Sequence, residues 1–217
     1  MIRTAINQLQ KWKNSSTRKP LVIRGARQVG KTWIMKEFGK THYEQTVYIN
    51  FEQSEILRNT FIQDFNIERI INIFQIETNI QIDPVNTLII LDEIQEVERG
   101  ITALKYFNEN APEYHIIAAG SLLGVSLHSN TSFPVGQVNF LDLYPLNFEE
   151  FLINVGQENL YSIIQKPDLD LMQAFHHKLV EHLRIYYFLG GMPEVISSYI
   201  QNKDFAEARE IQKRILI

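Results

Sequence analysis

Cysteine is missing from all 217 residues, and that absence removes disulfide staples, thiolate nucleophiles and Cys-ligated metal sites together. It suits a reducing compartment, so a cytoplasmic location is expected. No apolar run approaches the ~18 to 20 residues that a membrane span needs, and the start MIRTAINQLQKWKNSS lacks the apolar stretch of a secretory signal. No membrane partner is expected. Positive charge is outnumbered, with 21 Lys and Arg against 25 Asp and Glu for a net −4. No overall field therefore draws in nucleic acid, although a local basic patch stays open. Internal repeats and low-complexity tracts are absent too. What remains is 45% hydrophobic and 21% charged, the composition of a folded chain that can bury a sizeable core.

Short aliphatic and β-branched runs alternate with helical patterns. LVIR (21–24), TVYINF (46–51), TLIILD (87–92), HIIAAG (115–120) and VNFLDL (138–143) read as strands. Several are apolar almost throughout, as parallel strands covered on both faces are. Strand alternating with helix means an α/β sheet. Ile2, Ile6, Leu9 and Trp12 recur at helical spacing over 2–12, and Ile101, Leu104 and Phe107 share one side over 101–107. Both stripes read as core.

Beyond the fifth strand the strand pattern stops. Pro145 turns the chain, and Asn147, three residues before Glu150, reads as an N-cap with its capping-box partner. Residues 169–189 carry Leu171, Phe175, Leu179, Leu183 and Tyr186 at helical spacing, up to a stop at Gly190 and Gly191 with Pro193 beyond. The last stretch, FAEAREIQKRILI, is amphipathic and ends without a stop signal, as a chain that continues would. The expected organisation is a core over 1–146 and a helical subdomain over 147–217.

GARQVGKT (25–32) carries the phosphate-loop spacing of glycine, four residues, glycine, lysine and a hydroxyl residue. A chance match in a chain of this length has odds on the order of one in a hundred at average residue frequencies. The loop also follows a strand and opens a helix, the setting the motif requires. Gly25 and Gly30 permit backbone angles that a side chain would block, so N–H groups across Gly25, Ala26, Arg27, Gln28, Val29, Gly30, Lys31 and Thr32 would turn inward around phosphate. The helix dipole adds only about 0.3 to 2 kcal/mol, against about −8 kcal/mol for micromolar affinity. Lys31 on the β and γ phosphates, and a magnesium ion carried by Thr32, must supply much of the rest. ATP and Mg2+ are the expected ligands.

LIILDEIQ (88–95) is an apolar strand ending in two carboxylates, at the sheet edge where such folds bind ligands. Asp92 suits the magnesium shell, directly or through water. Glu93 would orient and polarise a water for attack on the γ-phosphate, or else cap or pair with a surface lysine. HIIAAGSLLG ends in Gly120 and Ser121. If its strand lies between the first and third, Ser121 would stand beside the two carboxylates; a helix-cap role is the other reading.

GARQVGKT, LIILDEIQ, AAGSLLG, LYPLNFEEFL and YFLGGMPEVI together resemble, in order and spacing over nearly the whole chain, a group of bacterial and archaeal AAA-type P-loop ATPases. The last two motifs are specific to that group. The resemblance implies a P-loop NTPase fold with an AAA-like parallel sheet in the order 5-1-4-3-2 flanked by helices, a small helical lid, and usually a further C-terminal domain. It implies Pro193, in GGMP, against the adenine, where the plain reading has the glycines ending one helix and Pro193 starting the next. This sequence departs from the group at Gln137, where a basic residue is frequent, and at Ala119, where threonine is frequent. An arginine finger at the first place is not supported, and Ser121 is left to act alone at the second.

The histidines at 42, 115, 128, 176, 177 and 182 show no zinc spacing. Lys11, Trp12, Lys13, Arg18 and Lys19 form a small basic stretch, read either as a solvated helix end or as a nucleic-acid contact. Arg27 would face either phosphates or a neighbouring subunit. The functional expectation is a magnesium-dependent ATPase that couples hydrolysis to lid movement and to a further domain or partner. A slow nucleotide-operated switch and a small-molecule kinase are the alternatives. A homo-oligomer and a protein client stay open.

Overall fold

A computed structural model describes residues 1–62, 64–97, 99–120 and 136–215. Strands β1 (Leu21–Arg24), β2 (Gln45–Asn50), β3 (Thr87–Asp92), β4 (His115–Ala119) and β5 (Asn139–Asp142) form one sheet in the order β2-β3-β4-β1-β5. All its pairings are parallel. This is the expected 5-1-4-3-2 order, read from the opposite edge. β3 and β4 are buried at every position, whereas β2 at the edge alternates. Their near-continuous apolar sequences follow from cover on both faces.

Alternate residues of each strand feed two separate cores. Val22, Ile49, Leu91 and Ala118 face one way, packing with Phe74 of α4 (Ile67–Thr78) and Leu104 and Phe107 of α5 (Gly100–Asn110). A short helix α3 (Glu55–Arg58) lies between β2 and α4 in sequence. Ile23, Ile90, Ile117 and Ala119 face the other way, against Leu9 and Trp12 of α1 (Ala5–Lys13) and Ile34 and Phe38 of α2 (Lys31–His42).

The first helix begins at Ala5, not at residue 2, and Ile2 is exposed. Its backbone is engaged elsewhere: the N–H donates to Asn154 Oδ1 at 2.7 Å and the carbonyl accepts from Asn154 Nδ2 at 2.9 Å. The basic stretch after that helix bonds its own chain. Trp12 is buried and donates to the Lys19 carbonyl at 2.7 Å; Lys13 bonds the His42 carbonyl, and Arg18 the carbonyls of Lys13, Pro112 and Glu113. Its one aromatic ring is thus not free to stack on a base. His115, buried beside it, has Nδ1 2.6 Å from the Tyr43 hydroxyl. Burial, helped by the charges of Arg18 and Lys13, pushes its pKa down to about 4.

The chain divides into two compact units, Ala5–Leu143 and a helical one made of Met1–Thr4 with Tyr144–Ile217. The helical unit contains α6 (Phe148–Asn154), α7 (Glu158–Gln165), α8 (Leu169–Ala174), α9 (His176–Leu189), α10 (Pro193–Asn202) and α11 (Phe205–Ile215). Asn147 and Glu150 form the full capping box at the start of α6. Glu150 is 4% exposed. A carboxylate so buried needs both a counter-charge and donors, and it has them: Arg3 Nε at 3.4 Å, Thr4 N at 2.7 Å and Thr4 Oγ1 at 2.8 Å.

The motifs LYPLNFEEFL and YFLGGMPEVI, both within this unit, meet in space. Leu146 N–H donates to the Gly191 carbonyl at 2.7 Å, and the Tyr186 hydroxyl donates to the Leu146 carbonyl at 2.8 Å. A Cβ at Gly191 would lie 2.2 Å from the Leu146 oxygen, so glycine is required there by close approach. The expected single helix over 169–189 is two, α8 and α9, broken at Phe175. Leu171 and Phe175 are exposed, so the tertiary packing that would hold one straight helix is missing at the break.

Candidate functional site

Of the residues singled out in the sequence, Gly25 to Thr32 follow the end of β1, and Asp92 and Glu93 stand at the same C-terminal edge of the sheet, at the end of β3. Arg24 ends β1 and hands the chain to Gly25; Asp92 ends β3 and pairs in register with Ala119, which ends β4. β4 therefore lies between β1 and β3, the condition under which Ser121 would stand beside the carboxylates, but Ser121 itself lies outside the described residues.

Between β1 and α2 the loop turns on three positive φ angles, Gly25 at 154°, Gln28 at 61° and Gly30 at 95°. Val29 is fully buried among the α1, α2 and β1 side chains and pins the loop from beneath, while Ala26, Arg27 and Gln28 face solvent. Gly25 has no room for a side chain, since a Cβ would sit 2.3 Å from the Leu143 carbonyl oxygen. Overpacking of this kind costs about 1 to 3 kcal/mol. Gly25→Ala is therefore expected to lower the melting midpoint by about 2 to 12 °C for a chain of this size; an unchanged midpoint in scanning calorimetry would refute the steric argument.

Helix α2 starts with its first-turn N–H groups lacking intrahelical partners. Gly30 is its N-cap, and no side chain caps it. Lys31, 8% exposed, donates from Nζ to the carbonyls of Gly25 and Ala26, both at 2.8 Å. Burial holds its ammonium group below the ordinary lysine range, with the carboxylates of Glu93 and Asp92 acting in the other direction. A buried cation and an uncapped helix start, on a loop with three positive φ angles, are features that suit anionic oxygen.

Asp92 is 3% exposed and its carboxylate is held from three sides. Thr32 Oγ1 donates to Oδ2 at 2.8 Å, the Tyr48 hydroxyl donates to the same oxygen at 2.9 Å, and Glu93 N–H donates to Oδ1 at 3.1 Å. Burial, and after it the bond to Asp92, raises the Tyr48 hydroxyl above the ordinary phenol range. Glu93 sits at a left-handed corner with φ 52°, and Gln95 Nε2 donates to its Oε2. Gln95 Oε1 is buried with no partner among the described residues.

Among the described residues no group of three His, Cys, Asp or Glu gathers. A hydroxyl and one carboxylate in contact nonetheless match magnesium, which takes few protein ligands and completes its shell from phosphates and water. Pro193 is the first residue of α10 in the helical unit, following Gly190 at φ 68°. No described helix is long and apolar enough to cross a membrane.

Tyr48 and Gln95 had not been singled out in the sequence. The pairing Tyr48↔Ile90, two residues before Asp92 on the same face of β3, is the signal for Tyr48, and it needs the strand register.

A parallel sheet in this order, with a glycine-framed loop leading from the first strand into a helix and an acidic residue ending the third, defines a P-loop NTPase. Residues 17–152 match the model of the AAA domain family, and the chain belongs to that family. Its fold is that of nucleotide-binding AAA ATPases.

Among solved structures it is similar to a chain of Drosophila ORC bound to DNA, with a TM-score of 0.51 and 16% identity, covering 98% of this chain and 66% of that one. It is also similar to Cdc6p from Pyrobaculum aerophilum, with a TM-score of 0.41 and 15% identity over 70% of this chain; the alignment spans only 48% of the Cdc6p chain. At such identities the likeness concerns the fold alone. No curated protein matches the chain.

Proposed function

We propose that this chain binds ATP with Mg2+ at Gly25–Thr32 and hydrolyses it, with turnover coupled to a conformational change of the helical unit and of a further domain or partner. The observation that carries this reading is the 2.8 Å bond between Thr32 and Asp92, formed beside a buried Lys31 and an uncapped helix start. Lys31 supplies positive charge to the β and γ phosphates, and the amides from Ala26 to Thr32 cradle the phosphate chain. Thr32 and Asp92 would hold the magnesium ion, which when bound would supply positive charge to the oxygens of the phosphoryl group. Glu93 accepts a proton from, and orients, the attacking water. We propose the same γ-phosphate region for Ser121, which lies outside the described residues; the position of β4 between β1 and β3 supports this reading.

A second reading, a slow nucleotide-held switch, has one observation in its favour. Gln137 stands where members of the resembled group often carry a basic residue, and its uncharged Oε1 accepts from Asn108 Nδ2 at 2.6 Å. Single-turnover release of phosphate from bound ATP separates the two. An ATPase empties the site on the timescale of turnover, whereas a switch retains intact ATP for many minutes.

A further inference from the structure

Asp92 is a buried polar side chain, so its orientation depends on its donors. Two of these donors belong to the proposed site itself. Thr32 is itself proposed as a metal ligand, and the Glu93 N–H sits on the left-handed corner after β3. Tyr48 is different, because it is fixed in β2, a neighbouring strand bonded to β3 along its whole length. A face of its ring is occupied as well, with Lys36 Nζ 3.6 Å from the ring centroid.

Two hydroxyl donors, Tyr48 and Thr32, converge on Oδ2, whereas Oδ1 receives one backbone N–H at 3.1 Å. A carboxylate has about four lone-pair positions across its oxygens. The convergence saturates Oδ2 and leaves Oδ1 the less occupied acceptor. We propose that Tyr48 is the positioning residue of the metal site: its hydroxyl locks the Asp92 carboxylate in the rotamer that presents its free lone pair to the cation or to a cation-bound water. This rests on the reading of Gly25–Thr32 and Asp92 as a Mg·ATP site. Tyr48 touches neither nucleotide nor cation in this account; it acts through Asp92. Groups that hold a ligating carboxylate in this way are worth about 10- to 100-fold in metal affinity.

The test compares wild type with Tyr48→Phe, which keeps the ring under Lys36 and deletes only the donor. ATP affinity is measured by calorimetry without metal and then across a Mg2+ series, and Mn2+ binding in the presence of ATP is followed by electron paramagnetic resonance. Tyr48→Phe is expected to raise the half-saturating Mg2+ and Mn2+ concentrations by about tenfold, with metal-free ATP affinity within about twofold of wild type. Introduced into Asp92→Asn, the same change is expected to have no further effect on metal dependence, since the carboxylate through which it acts is gone. A merely structural role would weaken metal-free binding equally and would survive in the Asp92→Asn background. Unchanged metal dependence in Tyr48→Phe, or an undiminished effect in the double variant, overturns the proposal. Failure of wild type to bind ATP under any condition overturns the underlying site instead.

Discussion

Lys31→Ala is expected to weaken ATP binding by at least about a hundredfold. A hydrogen bond from a charged donor contributes about 1.5 to 3 kcal/mol, and an ammonium spanning two phosphates makes at least two. Their loss, about 3 kcal/mol or more, is a factor above 10² in affinity. The folded state should tolerate the change. Lys31 Nζ bonds the carbonyls of Gly25 and Ala26, and neither residue is buried, so water replaces the lost donor. Displacement of a fluorescent ATP analogue, read beside the melting midpoint, checks both statements. Affinity within threefold of wild type would place the triphosphate elsewhere.

Glu93→Gln is expected to act on the other half of the chemistry. A positioned general base contributes about 10² to 10⁴ in rate, and the amide keeps the shape while losing the proton acceptor. Hydrolysis should fall by that factor while ATP affinity changes by only a few-fold, so the variant traps bound ATP. Glu93 sits on a left-handed corner, and the Gln95 amide is bonded to its carboxylate. Phosphate release equal to wild type would remove Glu93 from the water-orienting role and favour the cap or lysine-pair reading of that residue.

The sheet was legible because its physics is local and repetitive. Strands covered on both faces admit few polar residues, so TLIILD and HIIAA stood out as nearly continuous apolar runs, and Pro145 with Asn147 and Glu150 announced the entry to the helical unit. Boundaries failed where side chains far apart in sequence decided them. Ile2 left the first helix because Asn154 claims its backbone, and Arg3 pairs with a carboxylate 147 residues away. The break at Phe175 had no sequence mark either, since the apolar spacing runs straight through it. In the site, Gly25, Lys31, Thr32, Asp92 and Glu93 stood out because the spacing of a loop and the end of a strand are written in order along the chain. Tyr48 did not, because its meaning lies in a register between β2 and β3 that no single run of residues encodes.

The central claim is that the amides and ammonium between Gly25 and Thr32 form a nest for a triphosphate. Titration calorimetry of the purified chain with Mg·ATP tests it most directly. The account predicts one saturable site in the micromolar range, about −8 kcal/mol, whose heat is lost in Lys31→Ala. A flat titration at millimolar nucleotide would contradict it.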